Sequence, residues 1–163
     1  MDLFEAVEQR SSVRQFEPVD VSETDVQKVL DAGRRAPSGK NLQPIRYVVI
    51  RSRDTIEQLS RAQACIAQAS VVVGLVADPA ASTYWLEDAS AAAAQMLLAI
   101  KALGYDSVWI EGTLSRHEDF AKQLLGVPGD LRLIIVLPIG KAAAPVPQKP
   151  RKPLSELVHR ETW

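Results

Sequence analysis

The spacing of apolar residues along the chain switches repeatedly between the helical period and the strand period. Intervals of three and four residues predict five helices, over residues 2–9, 22–36, 53–68, 85–103 and 115–125. Short β-branched or wholly apolar runs predict four strands, over residues 47–50, 70–77, 107–110 and 131–139. Strands that alternate with helices in this way indicate a layered α/β sheet with helices on both faces.

The first and fourth predicted helices differ in the width of their apolar faces. In the first helix, Leu3, Phe4 and Val7 lie on one face. In the fourth helix, residues 91–100 are apolar nearly all round, which predicts burial on most sides. The consecutive alanines at residues 91–94 would let another backbone approach this helix closely.

Two helix starts carry a capping signal. Ser22 is followed three residues later by Asp25, and Ser115 is followed at the same distance by Glu118. A hydroxyl with an acidic side chain at this spacing can satisfy the free N–H groups of a helix's first turn. We therefore expect helices to begin after Ser22 and after Ser115.

The last part of the chain, residues 141–163, has a different composition and is called the arm below. Four prolines between residues 145 and 153 favour an extended path and remove backbone donors. The end of the arm is too apolar to remain in solvent, so we expect it to embrace a partner subunit. No repeat or linker interrupts residues 1–163, which indicates a single domain.

Composition and charge narrow the classes of function. The chain has 163 residues, of which 47% are hydrophobic and 24% charged, and its net charge is −1. This balance gives no global positive field to bind nucleic acid or an anionic membrane. The N-terminus lacks the features of a signal peptide, and the apolar runs are too short to span a bilayer. Together with the lone Cys65, which suits a reducing compartment, these features predict a cytoplasmic protein.

The absence of common motifs excludes several kinds of site. The chain has no G-x-G-x-x-G or P-loop cradle for a nucleotide and no G-x-S-x-G nucleophile elbow. Its two histidines, His117 and His159, have no partners at ligand spacing, so no metal site is expected. If the protein is an enzyme, a cofactor is expected to supply the reactive group.

Two segments in the first half could bind such a cofactor. In residues 10–14, Arg10 and Arg14 flank two serines, a donor set that suits a phosphate monoester. The alternative is a helix C-terminus whose arginines complement the helix dipole. In residues 36–44, two prolines bracket serine, asparagine and glutamine, whose side chains could bind a flat heterocycle. The alternative there is an ordinary turn between a helix and a strand.

Two later segments could complete the same site. Residues 109–113 end a predicted strand, and Gly112 within them would let a flat ring approach the backbone. The alternative is a strand that simply turns a corner. Residues 149–153 carry three cations on a stiff backbone and could add to an anion site begun by Arg10 and Arg14. The alternative is a solvated basic patch.

In this order and spacing, the segments resemble the motifs of nitroreductase-family flavoproteins. Arg-Ser-Ser-x-Arg follows the first helix, and Ala-Pro-Ser-x-x-Asn-x-Gln-Pro precedes the first strand. Trp-Ile-Glu-Gly follows the alanine-rich helix, and Lys-Pro-Arg-Lys-Pro-Leu lies in the arm. The resemblance covers essentially the whole chain. It implies a central mixed sheet flanked by helices, an FMN cofactor and a homodimer with FMN bound at its interface.

The resemblance also implies which residues bind FMN. Those at the phosphate and ribityl chain would be Arg10, Ser11, Ser12 and Arg14, with Lys149 and Arg151 from the arm. Those at the isoalloxazine ring would be Pro37, Ser38, Gly39, Asn41 and Gln43 of the partner subunit, and Ile110, Glu111 and Gly112 along the ring edge. The Gly112 amide would donate to N5, and no catalytic acid or base is implied. Serine at position 11 departs from the family pattern, in which many members have a second basic residue.

The activity that the resemblance implies is hydride transfer from NAD(P)H through flavin N5 to a small acceptor such as a nitroaromatic or a quinone. Three alternatives stay open. The first is an FMN-binding relative with other flavin chemistry, such as dehalogenation or flavin breakdown. The second is an FMN-binding protein without turnover, and the third is a purely structural dimer.

Overall fold

The computed structural model describes residues 1–163 and contains one central antiparallel sheet with helices on both faces. The strands are β1 (Phe16–Glu17), β2 (Ile45–Ile50), β3 (Val71–Ala77), β4 (Asp106–Ser107) and β5 (Arg132–Ala142). Their order is β1-β5-β3-β2, with β4 also paired to β5, and every one of these pairs is antiparallel. The expected α+β fold is confirmed, but the sheet is mixed only through one parallel bridge, between Ser12 and Ser107.

Five α-helices pack around this sheet. They are α1 (Leu3–Gln9), α2 (Glu23–Arg34), α3 (Arg53–Leu59), α4 (Trp85–Ala102) and α5 (Glu118–Leu125). The Ser22 hydroxyl accepts the Asp25 N–H at 3.1 Å, so the predicted cap of α2 is confirmed. This bond satisfies one of the donors that the first turn of a helix leaves free.

The core consists of two apolar layers separated by β3, whose residues are all buried. Val71, Val73 and Leu75 pack with the buried residues of α2 and α4. Val72 and Val76 point the other way and pack with those of α3 and α5. Because side chains alternate along a strand, a wholly apolar strand requires cover on both faces. The fold supplies that cover with one helix pair on each side.

The predicted helix over residues 53–68 is wrong in its second half. α3 ends at Leu59, and the chain turns before a short 3₁₀ helix, Ala64–Gln68. The Arg53 guanidinium donates to the carbonyl oxygens of Ala67 and Ala69, at 2.5 and 2.8 Å. These bonds fold the segment back towards the start of α3, which a continuous helix would not allow.

The predicted capping box of Ser115 and Glu118 is also wrong. The Ser115 hydroxyl donates to the carbonyl oxygen of Gly112 at 2.9 Å, within a turn that leads into the 3₁₀ helix Leu114–His117. The Glu118 carboxylate accepts two bonds from Arg132, at 2.8 and 2.9 Å, and the Leu133 N–H at 3.1 Å. Glu118 therefore ties α5 to β5 instead of capping its own helix.

The apolar side chains of α1 do not pack in the core of this chain. Leu3, Phe4 and Val7 are 62%, 77% and 47% exposed, and only Ala6 of this helix is buried. The helix instead presents an apolar face to the outside.

The long helix α4 is buried on most sides, as predicted, but it is open along one side. Ala92, Ala93 and Met96 are buried, whereas Ala94 and Gln95 are exposed. A largely apolar groove of about 470 Å³ lies between this helix, α1 and α2. An exposed apolar groove of this kind is typical of an interaction surface. No helix in the structure has both the length and the apolar character required to cross a membrane.

The arm leaves the sheet at the end of β5, and residues 149–163 are exposed in the single chain. Its only helical turn is a 3₁₀ helix, Leu154–Glu156, and the His159 and Trp163 rings stack at 4.3 Å. Residues 145–153 contain no helix or strand, and the extended path through the prolines stays a prediction. Contact between the arm and a partner subunit stays a prediction.

Candidate functional site

The arginine segment, residues 10–14, leaves α1 and runs beside β4. The Val13 N–H donates to the Ser107 carbonyl oxygen at 3.0 Å, next to the parallel bridge between Ser12 and Ser107. Because side chains alternate along an extended segment, Val13 is buried while Ser12 and Arg14 are exposed. Ser12 and Arg14 therefore lie on the accessible side of the segment.

Ser11 lies on the opposite, buried side and is 8% exposed. It lies beside a buried ion pair in which Lys101 of α4 contacts Asp106 of β4 at 2.9 Å. The second Asp106 oxygen accepts the Ala142 N–H at 3.0 Å. This ion pair joins the C-terminal end of α4 to the sheet underneath the arginine segment.

The cations predicted to bind phosphate have no carboxylate partners in the chain. Arg10, Arg14, Lys149 and Arg151 are absent from its ion pairs. The Arg14 guanidinium makes one hydrogen bond, to the Ser12 carbonyl oxygen at 3.4 Å. Guanidinium groups without a carboxylate partner keep their donors available for an external anion.

The arm is attached to the start of the arginine segment by Gln148, which the sequence analysis did not single out. Its side-chain amide donates to the carbonyl oxygens of Val7 and Arg10, both at 2.8 Å. Carbonyl groups at the end of a helix lack partners within the helix, so this contact satisfies two of them. It also holds the position next to Lys149 against the arginine segment.

The proline-bracketed loop, residues 37–44, has an unusual backbone. Lys40, Asn41 and Gln43 have φ values of 51°, 57° and 50°, in the left-handed region. Each such non-glycine residue costs about 1–2 kcal/mol. The Ser38 hydroxyl accepts the Gln43 N–H at 3.2 Å, and the side chains of Asn41 and Gln43 are exposed. The loop therefore presents amide groups outward from a constrained backbone.

The loop is anchored to the N-terminal end of α4 by Asp88, which is buried and was also missed by the sequence analysis. One Asp88 oxygen accepts the Gly39 N–H at 2.8 Å, and the other accepts the Ser82 hydroxyl at 3.2 Å. A Cβ atom at position 39 would lie 2.3 Å from the Tyr84 ring, so only glycine allows this approach. A carboxylate in the first turn of an otherwise apolar helix was the available signal.

A cavity of about 160 Å³ lies behind this loop. The loop itself forms one wall, and Gly33, Tyr47 and Asp88 contribute to the others. Burial raises the pKa of Tyr47 to about 12, so its phenol stays protonated and uncharged at neutral pH. The loop is thus supported at its ends and at Asp88, with free space beneath it.

The segment after β4 places a backbone turn at the surface. Strand pairing stops at Ser107, so the predicted strand over residues 107–110 is wrong in extent, although Ile110 exchanges both backbone hydrogen bonds with Val136. The Ile110 side chain is 1% exposed and belongs to the core, whereas Glu111 and Gly112 are exposed. A Cβ atom at Gly112 would have no neighbour within 4 Å. A flat group could therefore approach this backbone.

Two of the predicted cofactor segments, the loop and the arginine segment, lie at opposite ends of α4. The loop contacts Asp88 near the N-terminal end, and the arginine segment lies beside Lys101 near the C-terminal end. Thirteen residues of helix separate these two positions, which corresponds to about 20 Å. Within one chain, the loop and the arginine segment are therefore not in contact.

Comparisons with known proteins identify the family of this chain. The Nitroreductase family model matches residues 7–76 and 66–141. A relative from Archaeoglobus fulgidus, provisionally named NADH dehydrogenase/NAD(P)H nitroreductase, is 32% identical over 94% of this chain and 94% of its own. A crystal structure from Bacteroides thetaiotaomicron with the same provisional name has a TM-score of 0.92 and 26% identity, covering 99% of this chain and 98% of that one.

A third comparison concerns the fold alone. A protein from Clostridium difficile described as an FMN-dependent nitroreductase has a TM-score of 0.85 at 24% identity, covering 98% of this chain and 99% of that one. The family model spans most of the chain, and the Archaeoglobus relative is aligned over nearly all of it. On these two matches, the chain belongs to the nitroreductase family of oxidoreductases.

Proposed function

We propose that this chain is an FMN-dependent oxidoreductase that transfers hydride from NAD(P)H to a small acceptor such as a nitroaromatic or a quinone. The observation that carries the proposal is the arginine segment, in which Arg10 and Arg14 have no carboxylate partner and lie beside the exposed Ser12. The name of the Archaeoglobus relative, which refers to NAD(P)H, supports the same activity.

The donors of the arginine segment suit a single terminal phosphate. Two guanidinium groups and one hydroxyl can complement its charge and its oxygens. Lys149 and Arg151 follow Gln148, whose amide already contacts the end of α1, so the arm can add positive charge at the same place. The chain has no dinucleotide fingerprint for an adenosine half, which favours FMN over FAD.

The ring of the flavin would lie against Gly112, where the open space above the backbone allows a flat group to approach. We assign the other face of this site to the proline-bracketed loop of a partner subunit, with its exposed Asn41 and Gln43 side chains. The separation of the loop and the arginine segment along α4 supports this assignment. A two-fold axis across α4 would place the N-terminal end of one helix near the C-terminal end of the other.

When bound, FMN would supply the redox chemistry by passing hydride from the nicotinamide to the acceptor. The chain's own residues would bind and orient the flavin. The arginine segment and the arm would hold the phosphate, and the Gly112 N–H would donate to the ring edge. No side chain is assigned as an acid or base, since hydride transfer requires none from these segments.

The purified protein tests this proposal directly. We expect a yellow protein that releases FMN on heating, identified by chromatography against FMN and FAD standards. Anaerobic addition of NADH or NADPH should bleach the flavin absorbance, and a quinone or nitroaromatic should restore it. Release of FAD, or no flavin uptake after incubation with FMN, would contradict the proposal. Bound FMN that neither nucleotide reduces would instead indicate a binding protein without turnover.

A further inference from the structure

The buried carboxylate of Asp88 is a polar anchor that lies outside the proposed phosphate site. Asp88 is 5% exposed and forms no ion pair with a lysine or arginine. Its charge is stabilised by the Gly39 N–H and the Ser82 hydroxyl, and by its place in the first turn of α4. The Ser82 oxygen in turn accepts the Tyr84 N–H at 3.0 Å. Burying a charge that only neutral donors stabilise costs free energy, so the burial of Asp88 is not explained by a gain in stability. A role in positioning the loop is therefore favoured.

The loop that Asp88 anchors needs such support. Three of its non-glycine residues have positive φ values, and strained backbones of this kind persist only where the surrounding structure holds them. The cavity of about 160 Å³ behind the loop leaves space into which an unanchored loop could collapse. The outward direction of Asn41 and Gln43 therefore depends on the bond between Asp88 and Gly39.

We infer that Asp88 is a positioning residue that holds the proline-bracketed loop in the shape that receives the flavin ring. This inference rests on the proposed function and extends it to a residue that does not contact the flavin. Because the loop would contact the ring and not the phosphate, loss of the Asp88 carboxylate should weaken the binding of FMN and of riboflavin to the same extent. A substitution in the arginine segment should instead weaken the binding of FMN and leave the binding of riboflavin unchanged, because riboflavin has no phosphate.

The test compares Asp88→Ala with Asp88→Asn, using Glu87→Ala as the control in the same helical turn. Dissociation constants for FMN and riboflavin are measured by quenching of flavin fluorescence. Asp88→Ala should raise both constants by roughly 10- to 100-fold, the loss expected for one hydrogen bond to a charged group. Asp88→Asn keeps an acceptor for the Gly39 N–H and should raise them by no more than about fivefold. Glu87 is exposed, and its replacement should change neither constant.

Hydrogen exchange in the flavin-free protein separates loop positioning from a general loss of stability. In Asp88→Ala, the Gly39 amide should exchange faster while the amides of β3 keep their protection. If that variant does not fold, Gly39→Ala displaces the loop with Asp88 intact, because its Cβ would lie 2.3 Å from the Tyr84 ring. Gly39→Ala should raise the dissociation constants of FMN and riboflavin by the same factor.

Unchanged flavin binding by the variant that folds, Asp88→Ala or Gly39→Ala, would overturn the role given to Asp88 and leave the proposed function intact. Unchanged exchange of the Gly39 amide in Asp88→Ala would have the same meaning. Wild-type protein that takes up neither flavin would overturn the proposed function and, with it, the role of Asp88.

Discussion

A flavin site built from two subunits predicts that two different lesions complement each other in a mixed dimer. One variant carries Arg10→Glu and Arg14→Glu in the arginine segment. The other carries Gly39→Val in the proline-bracketed loop. Since these segments lie about 20 Å apart along α4, each flavin should draw on the arginine segment of one chain and the loop of the other.

Each lesion is expected to prevent flavin binding in its own homodimer. Two charge-assisted hydrogen bonds to phosphate contribute about 1.5–3 kcal/mol each, so their loss should raise the dissociation constant of FMN by roughly 10²- to 10⁴-fold. Repulsion between phosphate and the new carboxylates adds to this loss. At Gly39, a Cβ atom would lie 2.3 Å from the Tyr84 ring, about 1 Å short of the ordinary contact distance of 3.4 Å. The loop must therefore move away from α4 to accommodate valine.

In the mixed dimer, one site collects both lesions and the other collects neither. Co-expression with two different tags and tandem purification should give about one FMN per mixed dimer and about half of the wild-type activity. A wild-type dimer purified through the same two tags is the control and should carry about twice as much FMN. A mixed dimer that assembles but stays colourless would refute the reasoning, because both segments would then serve the site of one subunit.

Two further predictions concern Glu118 and the arm. Hydrogen bonds from Arg132 hold the pKa of Glu118 below its ordinary value of 4.5, so the pair stabilises the fold above that pH and loses its effect as pH falls through the lowered pKa. Glu118→Gln should lower the unfolding free energy at pH 7 by about 1–2 kcal/mol, the contribution of a charged hydrogen bond reduced by the exposure of Arg132. Urea titrations should show that this difference shrinks as the pH falls below 4.5. In the arm, Arg151→Ala should weaken the binding of FMN by roughly 10-fold or more, whereas Lys152→Ala should weaken it much less. The reason is that adjacent side chains of an extended chain point in opposite directions. Equal FMN affinities in fluorescence titrations of these two variants would show that Arg151 does not contact the phosphate.

The parts of the fold that the sequence predicted well are those governed by local pattern. The buried strand β3 and the cap of α2 depend on residues within a few positions of each other. The helix over residues 53–68 failed because Arg53 bonds to carbonyl groups on the far side of a turn. Glu118 failed as a cap because Arg132, in a distant strand, is a stronger partner for its carboxylate.

The same distinction explains what was found and missed around the site. Residue types and order were enough to select the arginine segment, the loop and Gly112 as candidates. Asp88 and Gln148 escaped notice because their partners are distant in sequence, 49 residues away for Gly39 and 138 for Arg10. A sequence without an alignment does not reveal such pairs, since neither residue has an unusual neighbour of its own.

The position of α4 between the two groups of cofactor residues limits how the chain can change in length. One inserted residue would advance the rest of the helix by about 1.5 Å and rotate it by about 100°. Such a change would move the loop relative to the arginine segment and turn the buried face of α4 away from the sheet. Insertions and deletions should therefore be absent from residues 88–101 in natural variants of this protein. They should accumulate instead in surface turns such as residues 128–130, which are exposed and belong to neither group.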